Sequence, residues 1–200
     1  MDCTNYSISK IGKLVGKEFL SKHDPMTQDG ASYCNGHSYA LRDKDDQIVG
    51  VAVFHMVSAW ETVRGCFALE DKEQKSFWEL GRLVMDNEHD TDEWKSWFLT
   101  RCIERFTTAV SVRALFAYVN SERETGSYLP PAGFKYCGLT AQRTDFYIKQ
   151  ADGSYKKQSR GKTKGVDGEW RPRPRKHRYL IVYDDSLTPK WEEQTNPHNI

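Results

Sequence analysis

The sequence contains no long apolar run, and nothing in its 200 residues approaches the roughly 20 consecutive apolar residues that a membrane-spanning helix needs. Its first residues, MDCTNYSISK, also lack the apolar core of a signal peptide. The five cysteines are odd in number, widely scattered and never arranged as C-x-x-C, which argues against a disulfide framework and a zinc knuckle. We therefore expect a soluble cytoplasmic protein with reduced thiols.

Motifs typical of several large enzyme classes are also missing. There is no G-x-S-x-G, no Walker loop and no G-x-G-x-x-G, so hydrolase, nucleotidase and dehydrogenase functions lose their support. Metal-ligand residue types occur at His23 and in the run DNEHD (residues 86–90), but no paired-histidine spacing places them on one face. A polar loop is the simpler interpretation, and no metal site is predicted.

Length and composition set the number of domains. Hydrophobic residues make up 38% of the chain and aromatic residues 12%, which is enough to bury one core. We predict a single domain over residues 1–200, with a basic insert at 150–178 and a C-terminal tail at 186–200.

The charge is nearly nil in total but unevenly distributed. Between Lys156 and Arg178 there are ten basic and two acidic residues, a local charge of +8 in a chain whose net charge is +1. A basic segment on an acidic body is typical of a protein that contacts a polyanion. A solvated loop is the alternative, because three glycines lie in the first half of the segment.

The spacing of apolar residues predicts both helices and strands. A first amphipathic helix is expected over residues 7–23, a hairpin over 37–56 and a third strand over 62–69. A mostly buried strand, FWELGRLVMD, precedes the clearest helix, which is predicted over residues 90–110 and in which Asp90 and Glu93 have capping-box spacing. Further strands are predicted at 112–120, 135–140, 143–149 and 175–184. This order predicts an α/β (α+β) fold whose central sheet is mixed and mostly antiparallel.

Two stretches carry a resemblance to a known family. RLVMD with EWKSWFLTRCI, followed by YVNSERETGSYLPPAGFKYCG, resembles the GNAT acyltransferases and, more narrowly, the Mom-like phage proteins that modify DNA. The late run PRPRKHRY supports the narrower resemblance, which covers most of residues 20–183. The resemblance implies a GNAT-like sheet with a splayed strand pair, flanked by helices, and a basic β-hairpin insert near the C-terminus.

The resemblance implies a donor site at the splayed strand. The arm of an acyl-CoA, or of a related acyl donor, would lie along Leu83, Val84 and Met85 and meet Lys95 and Ser96 at the start of the next helix. Acetyltransferases of this fold usually have a glycine-rich turn there, whereas this chain has the acidic, glycine-free run NEHDTDEWKS. Ordinary acetyl-CoA is therefore expected to bind weakly, since carboxylates repel phosphate.

The resemblance also implies a catalytic set, which consists of Tyr118, Asn120, Ser96 and Asp86. Tyr118 and Asn120 end a predicted strand at the edge where open sheets bind ligands. Structural roles are the alternatives: a strand end with an Asn turn for the first pair, and a hydrogen bond within the helix start for Ser96. Mom-like relatives commonly have an aspartate at the position of Asn120, so this chain departs from the pattern there.

The acceptor that the resemblance implies is the exocyclic amine of adenine in double-stranded DNA, modified to protect phage DNA from restriction. The predicted substrate contacts are basic side chains that would hold phosphate: Arg82, Arg171, Arg173, Arg175, Lys176, His177 and Arg178. Arginines that alternate with prolines would form a row of guanidinium groups along an extended arm. Arg82 lies within a buried strand, so an ion pair with a carboxylate is the alternative there.

Two other functions remain open. One is a non-catalytic nucleic-acid-binding protein of the same fold that uses the basic segment. The other is an acyl-CoA-dependent N-acetyltransferase that acts on a protein or a small amine.

Overall fold

The computed structural model describes residues 3–28, 35–69, 74–158, 161 and 163–195. The helices are α1 (Lys13–His23), α2 (Pro25–Gln28), α3 (Trp60–Phe67) and α4 (Asp92–Ala109). The strands are β1 (Ser7–Ile11), β2 (His37–Arg42), β3 (Ile48–Met56), β4 (Phe77–Met85), β5 (Ala114–Asn120), β6 (Lys135–Leu139), β7 (Arg143–Lys149), β8 (Tyr155–Gln158), β9 (Glu169–Arg173) and β10 (Lys176–Val182). Short 3-10 helices lie at Gln74–Ser76 and Pro130–Ala132.

A seven-stranded sheet organises the chain, in the order β1-β2-β3-β4-β5-β10-β6. Neighbouring strands are antiparallel except β4 and β5, which are parallel because α4 returns the chain across the sheet between them. The predicted fold class, a mixed and mostly antiparallel sheet flanked by helices, is confirmed.

Each face of the sheet is covered by helix. On one face α4 buries Phe98 and Phe106, and the ring of Phe106 stacks on Phe54 of β3 with centroids 4.6 Å apart. On the other face Leu20 of α1 packs against β3, while α3 packs Phe67 against strands β4 and β5. Burying these side chains is the main stabilising contribution, at roughly 1.5–3 kcal/mol for each large apolar side chain.

The helix predicted over residues 7–23 is present from Lys13 to His23 as α1, but the prediction is wrong for residues 7–12. Ser7–Ile11 form β1, which pairs antiparallel with β2, and Gly12 then adopts an extended conformation before α1 begins. The β-branched run SISKI favours a strand, and Ile8 reaches the core from there.

The third strand predicted over residues 62–69 is also wrong, because these residues belong largely to α3. The buried residues of α3 are Val63, Cys66 and Phe67, whose spacing of three and four residues is helical. The ring of Phe67 lies 5.6 Å from Phe77 and 6.0 Å from Phe116, so the burial of one helical face decides the structure of this segment.

The predicted helix over residues 90–110 is present, but its cap differs by one residue. Thr91 is the N-cap, and its hydroxyl accepts a hydrogen bond of 3.4 Å from the backbone N–H of Trp94. Asp90 instead forms an ion pair with Lys95, so the capping box predicted for Asp90 and Glu93 is wrong.

The basic segment near the C-terminus contributes to a second, three-stranded sheet in the order β8-β7-β9. Pro172 is compatible with this sheet because β9 is an edge strand. Trp170 packs on Phe146 across the β7–β9 pair, with ring centroids 5.2 Å apart. Arg171 and Arg173 therefore lie on a paired strand rather than on an extended free arm.

Candidate active site

The main feature of the sheet is a fork between β4 and β5. The two strands pair in parallel only from Phe77 to Leu80 of β4, opposite Ala114 to Ala117 of β5, and then diverge. A bulge in β4 lies at this point, because Leu80 and Arg82 both have partners on β3 while Gly81 does not.

Glycine is required at the bulge. A Cβ at position 81 would collide with the imidazole ring of His55 on the neighbouring strand. The bulge bends β4 away from β5, and the fork opens into a cleft of about 400 Å³.

The cleft is lined by strand residues beyond the fork and by segments from both faces of the sheet. Its wall includes Leu80–Met85 of β4, Ala117–Asn120 of β5, His23–Met26 near α1, and Asp90, Lys95, Arg123, Glu124, Tyr128 and Leu129. Because Tyr128 and Leu129 join the core under α4 whereas Tyr118 joins the core under α3, the cleft passes through the sheet. We call its two openings the α4 side and the α3 side.

The predicted donor-site strand lies in the wall of this cleft. Leu83, Val84 and Met85 all line it, and beyond Leu80 the edge of β4 that faces β5 has no partner strand among the described residues. Unpaired backbone N–H and C=O groups therefore face the cleft, where they can bond an amide-containing ligand.

The α4 side carries charges that are bonded to one another. Lys95 Nζ lies 2.6 Å from Asp90 Oδ1 and 4.0 Å from Glu124 Oε2, and it stands over the ring of Tyr128. Burial raises the pKa of the Glu124 carboxyl, and the nearby ammonium of Lys95 opposes that rise. The predicted lysine therefore reaches the cleft, but it is already held by two carboxylates.

Ser96 does not line the cleft. It lies one residue beyond Lys95 on α4 and borders a separate depression with Asp92, Trp97 and Ser127. Ser127 Oγ donates a hydrogen bond to Asp92 Oδ2 at this place, which fastens the loop after β5 to the start of α4.

Asp86 also stands outside the cleft wall, in a network that joins β4 to the N-terminal segment. Its Oδ1 accepts hydrogen bonds from the backbone N–H of His89 at 2.9 Å and from the imidazole Nδ1 at 2.7 Å. The other ring nitrogen, Nε2, lies 2.9 Å from the hydroxyl of Tyr6. This carboxylate orients a buried histidine and has no contact with the cleft.

Arg82 lines the cleft. It forms an ion pair with a carboxylate, which was the alternative to the predicted substrate contact. Its Nε donates to Asp24 Oδ2 at 3.1 Å, and its Nη1 donates to the carbonyl of Gly81 at 2.6 Å. Both side chains are largely buried, with 15% of Arg82 and 5% of Asp24 exposed. The pair ties the α1–α2 junction to the bulge.

Tyr118 and Asn120 both line the cleft, as the end of a strand at the sheet edge predicts. The hydroxyl of Tyr118 forms a hydrogen bond with Thr62 of α3. Burial raises the pKa of this phenol well above its ordinary value, and the nearby carboxylate of Glu79 raises it further. Asn120 Oδ1 accepts from the backbone N–H of Glu122 at 3.0 Å, which is an Asn turn at the strand end.

A carboxylate that the sequence interpretation missed stands next to Tyr118. Glu79 is paired with Phe116 on β5, and since alternate residues of a strand share a face, Glu79 and Tyr118 point to the same α3 side. Burial raises the pKa of Glu79, while the charges of His55, Lys176 and Arg82 oppose that rise. The signal available in the sequence was an acidic residue inside the largely apolar strand FWELGRLVM.

The remaining predicted substrate residues are mostly bonded within the protein. Arg171 pairs with Glu169 and stacks on Tyr155, with its guanidinium carbon 3.5 Å from the ring centroid. His177 is buried, with Nδ1 3.0 Å from the hydroxyl of Tyr136.

The arginines on either side of Lys176 are held in the same way. Arg175 Nε donates to the carbonyl of Thr140 at 2.6 Å, and Arg178 Nη2 donates to that of Cys137 at 2.7 Å. These groups do not form a free row along an arm.

Sequence comparison identifies no family, since no family model matches the chain and no curated protein matches it. Its fold, however, is that of the GNAT acetyltransferases. The chain is similar to Arabidopsis thaliana NAA60 in complex with acetyl-CoA, with a TM-score of 0.54 and 9% identity over 90% of this chain and 99% of that one.

Two bacterial acetyltransferase structures show the same likeness. One is the ribosomal-protein-S18-alanine N-acetyltransferase from Escherichia coli, with a TM-score of 0.50 and 12% identity over 96% of this chain and 97% of that one. The other is the spermidine/spermine N-acetyltransferase SpeG from Vibrio cholerae, with a TM-score of 0.51 and 10% identity over 90% and 93% of the two chains. At such low identity these likenesses show the fold.

The prediction of double-stranded DNA as partner is wrong. Two of the solved structures that share the fold are N-acetyltransferases named for ribosomal-protein-S18 alanine and for spermidine and spermine, and neither name refers to DNA. The structure supplies the physical reason, because Arg171, Arg175 and Arg178 are bonded within the protein and do not form the predicted row. The resemblance to GNAT proteins holds at the level of fold, and the narrower resemblance to Mom-like proteins gains no support.

None of the helices in the described part of the chain has the length and apolar character needed to cross a membrane.

Proposed function

We propose that this protein is an N-acyltransferase that moves an acyl group from an acyl-CoA to an amine. The fork between β4 and β5 carries the proposal, because it opens a cleft through the sheet with unpaired strand edges on one wall and a carboxyl–phenol pair beside it. The same fold in NAA60 is found in complex with acetyl-CoA, which supports this choice of donor. Adenine modification in DNA is not part of the proposal, because the prediction of double-stranded DNA as partner is wrong.

The cleft fits one part of an acyl-CoA better than the other. The amide-rich pantetheine arm can bond the free edge of β4 at Leu83–Met85, as a short added strand does. The diphosphate end would meet the start of α4, where the helix dipole favours an anion but the carboxylates of Asp90, Asp92 and Glu93 oppose it. We infer that the donor is held mainly by its arm.

Bound in the cleft, an acyl-CoA supplies a thioester carbonyl that an amine can attack. Glu79 is the proposed proton acceptor for the attacking amine, because its raised pKa brings it closer to neutral pH than an ordinary carboxyl. Tyr118 is the proposed proton donor to the departing sulfur, because its raised pKa keeps the hydroxyl protonated.

The remaining predicted residues have supporting roles in the proposal. Gly81 and the Arg82–Asp24 pair hold the fork open, and Lys95 positions Glu124 at the α4 side. Asn120 shapes the turn that ends β5. Ser96 and Asp86 have no part in it, because Ser96 borders a separate depression and Asp86 is bonded to the imidazole of His89.

Thiol release in the presence of acetyl-CoA, longer acyl-CoAs and a panel of primary amines tests this function. We expect amine-dependent release that Glu79→Gln reduces strongly, while Glu104→Gln, a change on the exposed surface of α4, leaves it unaltered. Circular dichroism of both variants controls for folding. The proposal fails if the folded parent protein releases no thiol above the blank with any donor and amine.

A further inference from the structure

The α3 side of the cleft has an unusual balance of charge. Lys176 is paired with Asn120 across the β5–β10 ladder, so its side chain shares the face of Tyr118, and its Nζ lies 5.9 Å from the centroid of that ring. Arg173 ends β9 three residues before Lys176, and Arg82 lines the same cleft as Tyr118 and Asn120. These two and Lys157 are the cations that lower the pKa of Lys176, after the larger effects of burial and of the opposing charge of Glu79. Four cationic side chains therefore lie near the end of β5.

Two of these four cations are neutralised by carboxylates. Arg82 pairs with Asp24 at 3.1 Å, and Lys157 pairs with the buried carboxylate of Asp145 at 2.6 Å.

Arg173 and Lys176 have no such partner. Within the described residues, no carboxylate lies at ion-pairing distance from the guanidinium of Arg173 or the ammonium of Lys176. Glu79 is the carboxyl whose charge acts on Lys176, but, ionised as the proposed proton acceptor, it is one carboxylate against two cations. The α3 side thus keeps positive charge next to the proposed proton acceptor.

An amine bound beside Glu79 and Tyr118 would lie near Lys176, whose Nζ is 5.9 Å from the Tyr118 ring. A polyamine would bring several positive charges to the same place, which like-charge repulsion opposes. An amine that carries a phosphate or carboxylate nearby would gain two charge-assisted contacts instead.

We propose that the acceptor is an amine on an anionic molecule, and that Arg173 and Lys176 hold its negative group beside the cleft. The inference rests on the proposed N-acyltransferase function and narrows it to one substrate class. It separates this chain from the spermidine/spermine N-acetyltransferase that shares its fold.

Matched acceptors test the inference directly. Three peptides with N-terminal alanine followed by glutamates, glutamines or lysines differ only in charge, and 2-aminoethyl phosphate and spermidine provide the corresponding small molecules. We expect kcat/KM to be at least about tenfold higher for the glutamate peptide than for the lysine peptide, and to fall as salt rises. The two small molecules show whether the anion is recognised as phosphate or only as an acidic peptide.

Substitutions of Arg173 and Lys176 show whether these two side chains cause the preference for an anionic acceptor. Lys176→Gln and Arg173→Gln should each reduce the preference by about threefold to tenfold, mainly through KM, whereas Lys176→Arg keeps it. Lys149→Gln is the matched control, because Lys149 lies on β7 six residues from the partner of Arg173, about 20 Å away along the strand.

Each outcome of the test has a distinct meaning. Turnover with an equal or reversed charge preference overturns the anionic acceptor but leaves the acyltransferase intact. Turnover whose preference survives both glutamine variants overturns the role of Arg173 and Lys176. If no acceptor reacts, both proposals fall.

Discussion

The two sides of the cleft differ in how their charges are satisfied. On the α4 side, Lys95 is held by Asp90 and Glu124, and the start of the helix is acidic. On the α3 side, Arg173 and Lys176 have no carboxylate at bonding distance among the described residues. A single fork in the sheet thus presents a neutral-to-acidic opening on one side and a basic opening on the other, and the predictions below test that difference.

The largest effect is expected from Glu79→Gln. The amide has nearly the shape of the carboxyl but cannot accept the proton, so turnover should fall by about 100-fold or more. Because the pKa of Glu79 is raised, activity of the parent should be lost as pH falls through a value above that of an ordinary carboxyl. A pH–rate profile checks this: the acid limb should disappear in the variant, and an unchanged limb would contradict the assignment.

Tyr118→Phe should reduce turnover by about 100-fold with little change in melting temperature. The ring stays packed beside Trp191 while the hydroxyl, and its hydrogen bond with Thr62, is lost. Thiol release compared between donors with good and poor leaving groups tests the proton-donor role. A proton donor matters most for the poor leaving group, so an equal loss with both would contradict that role, and no loss with either would show that Tyr118 only packs.

Asp90→Asn tests the acidic α4 side. Removing this carboxylate frees Lys95 from its 2.6 Å partner and takes one negative charge from the donor end. The KM for acyl-CoA should fall by about threefold to fivefold, since a single charge near a helix start contributes at most about 1 kcal/mol. The same change in KM for an acyl-pantetheine, which has no diphosphate, would show that the effect is not electrostatic.

The smallest effect is expected from Thr91→Ala. Loss of the N-cap hydroxyl should lower the free energy of unfolding by about 0.5–1 kcal/mol, because the hydrogen bond it accepts is long at 3.4 Å. Urea denaturation measures the change, with Thr108→Ala near the other end of α4 as a control. A loss well above this range would mean that Thr91 does more than cap the helix.

The sequence correctly predicted those helices and strands that depend on the local pattern of apolar and polar residues. The hairpin β2–β3 and the strands β4 and β5 follow from short runs of strand-forming apolar residues, and the helix α4 follows from its polar start and its apolar spacing. The prediction of a third strand failed because the segment from Thr62 to Phe67 contains β-branched and aromatic residues that are compatible with a strand or a helix. Its helix is decided by packing on Phe77 and Phe116, which lie far along the chain.

The candidate site was only partly predictable for the same reason. Tyr118 and Asn120 were found from their position at a strand end, and Leu83–Met85 from the family resemblance. Glu79 was missed because its importance depends on the face it shares with Tyr118, which requires the parallel register of β4 and β5. The prediction that the arginines after Gly168 form a free row was wrong, because the groups that bind them come from distant parts of the chain such as Thr140 and Cys137.

Transfer of an isotope-labelled acetyl group tests the central claim most directly. The folded protein, labelled acetyl-CoA and the alanine–glutamate peptide would be incubated together, and the peptide would then be examined by mass spectrometry. The account predicts that the label appears on the N-terminal nitrogen of the peptide, and that Glu79→Gln nearly abolishes it. A peptide that remains unlabelled, while longer acyl donors and the other amines also fail, would contradict the assignment of this cleft as an acyltransferase site.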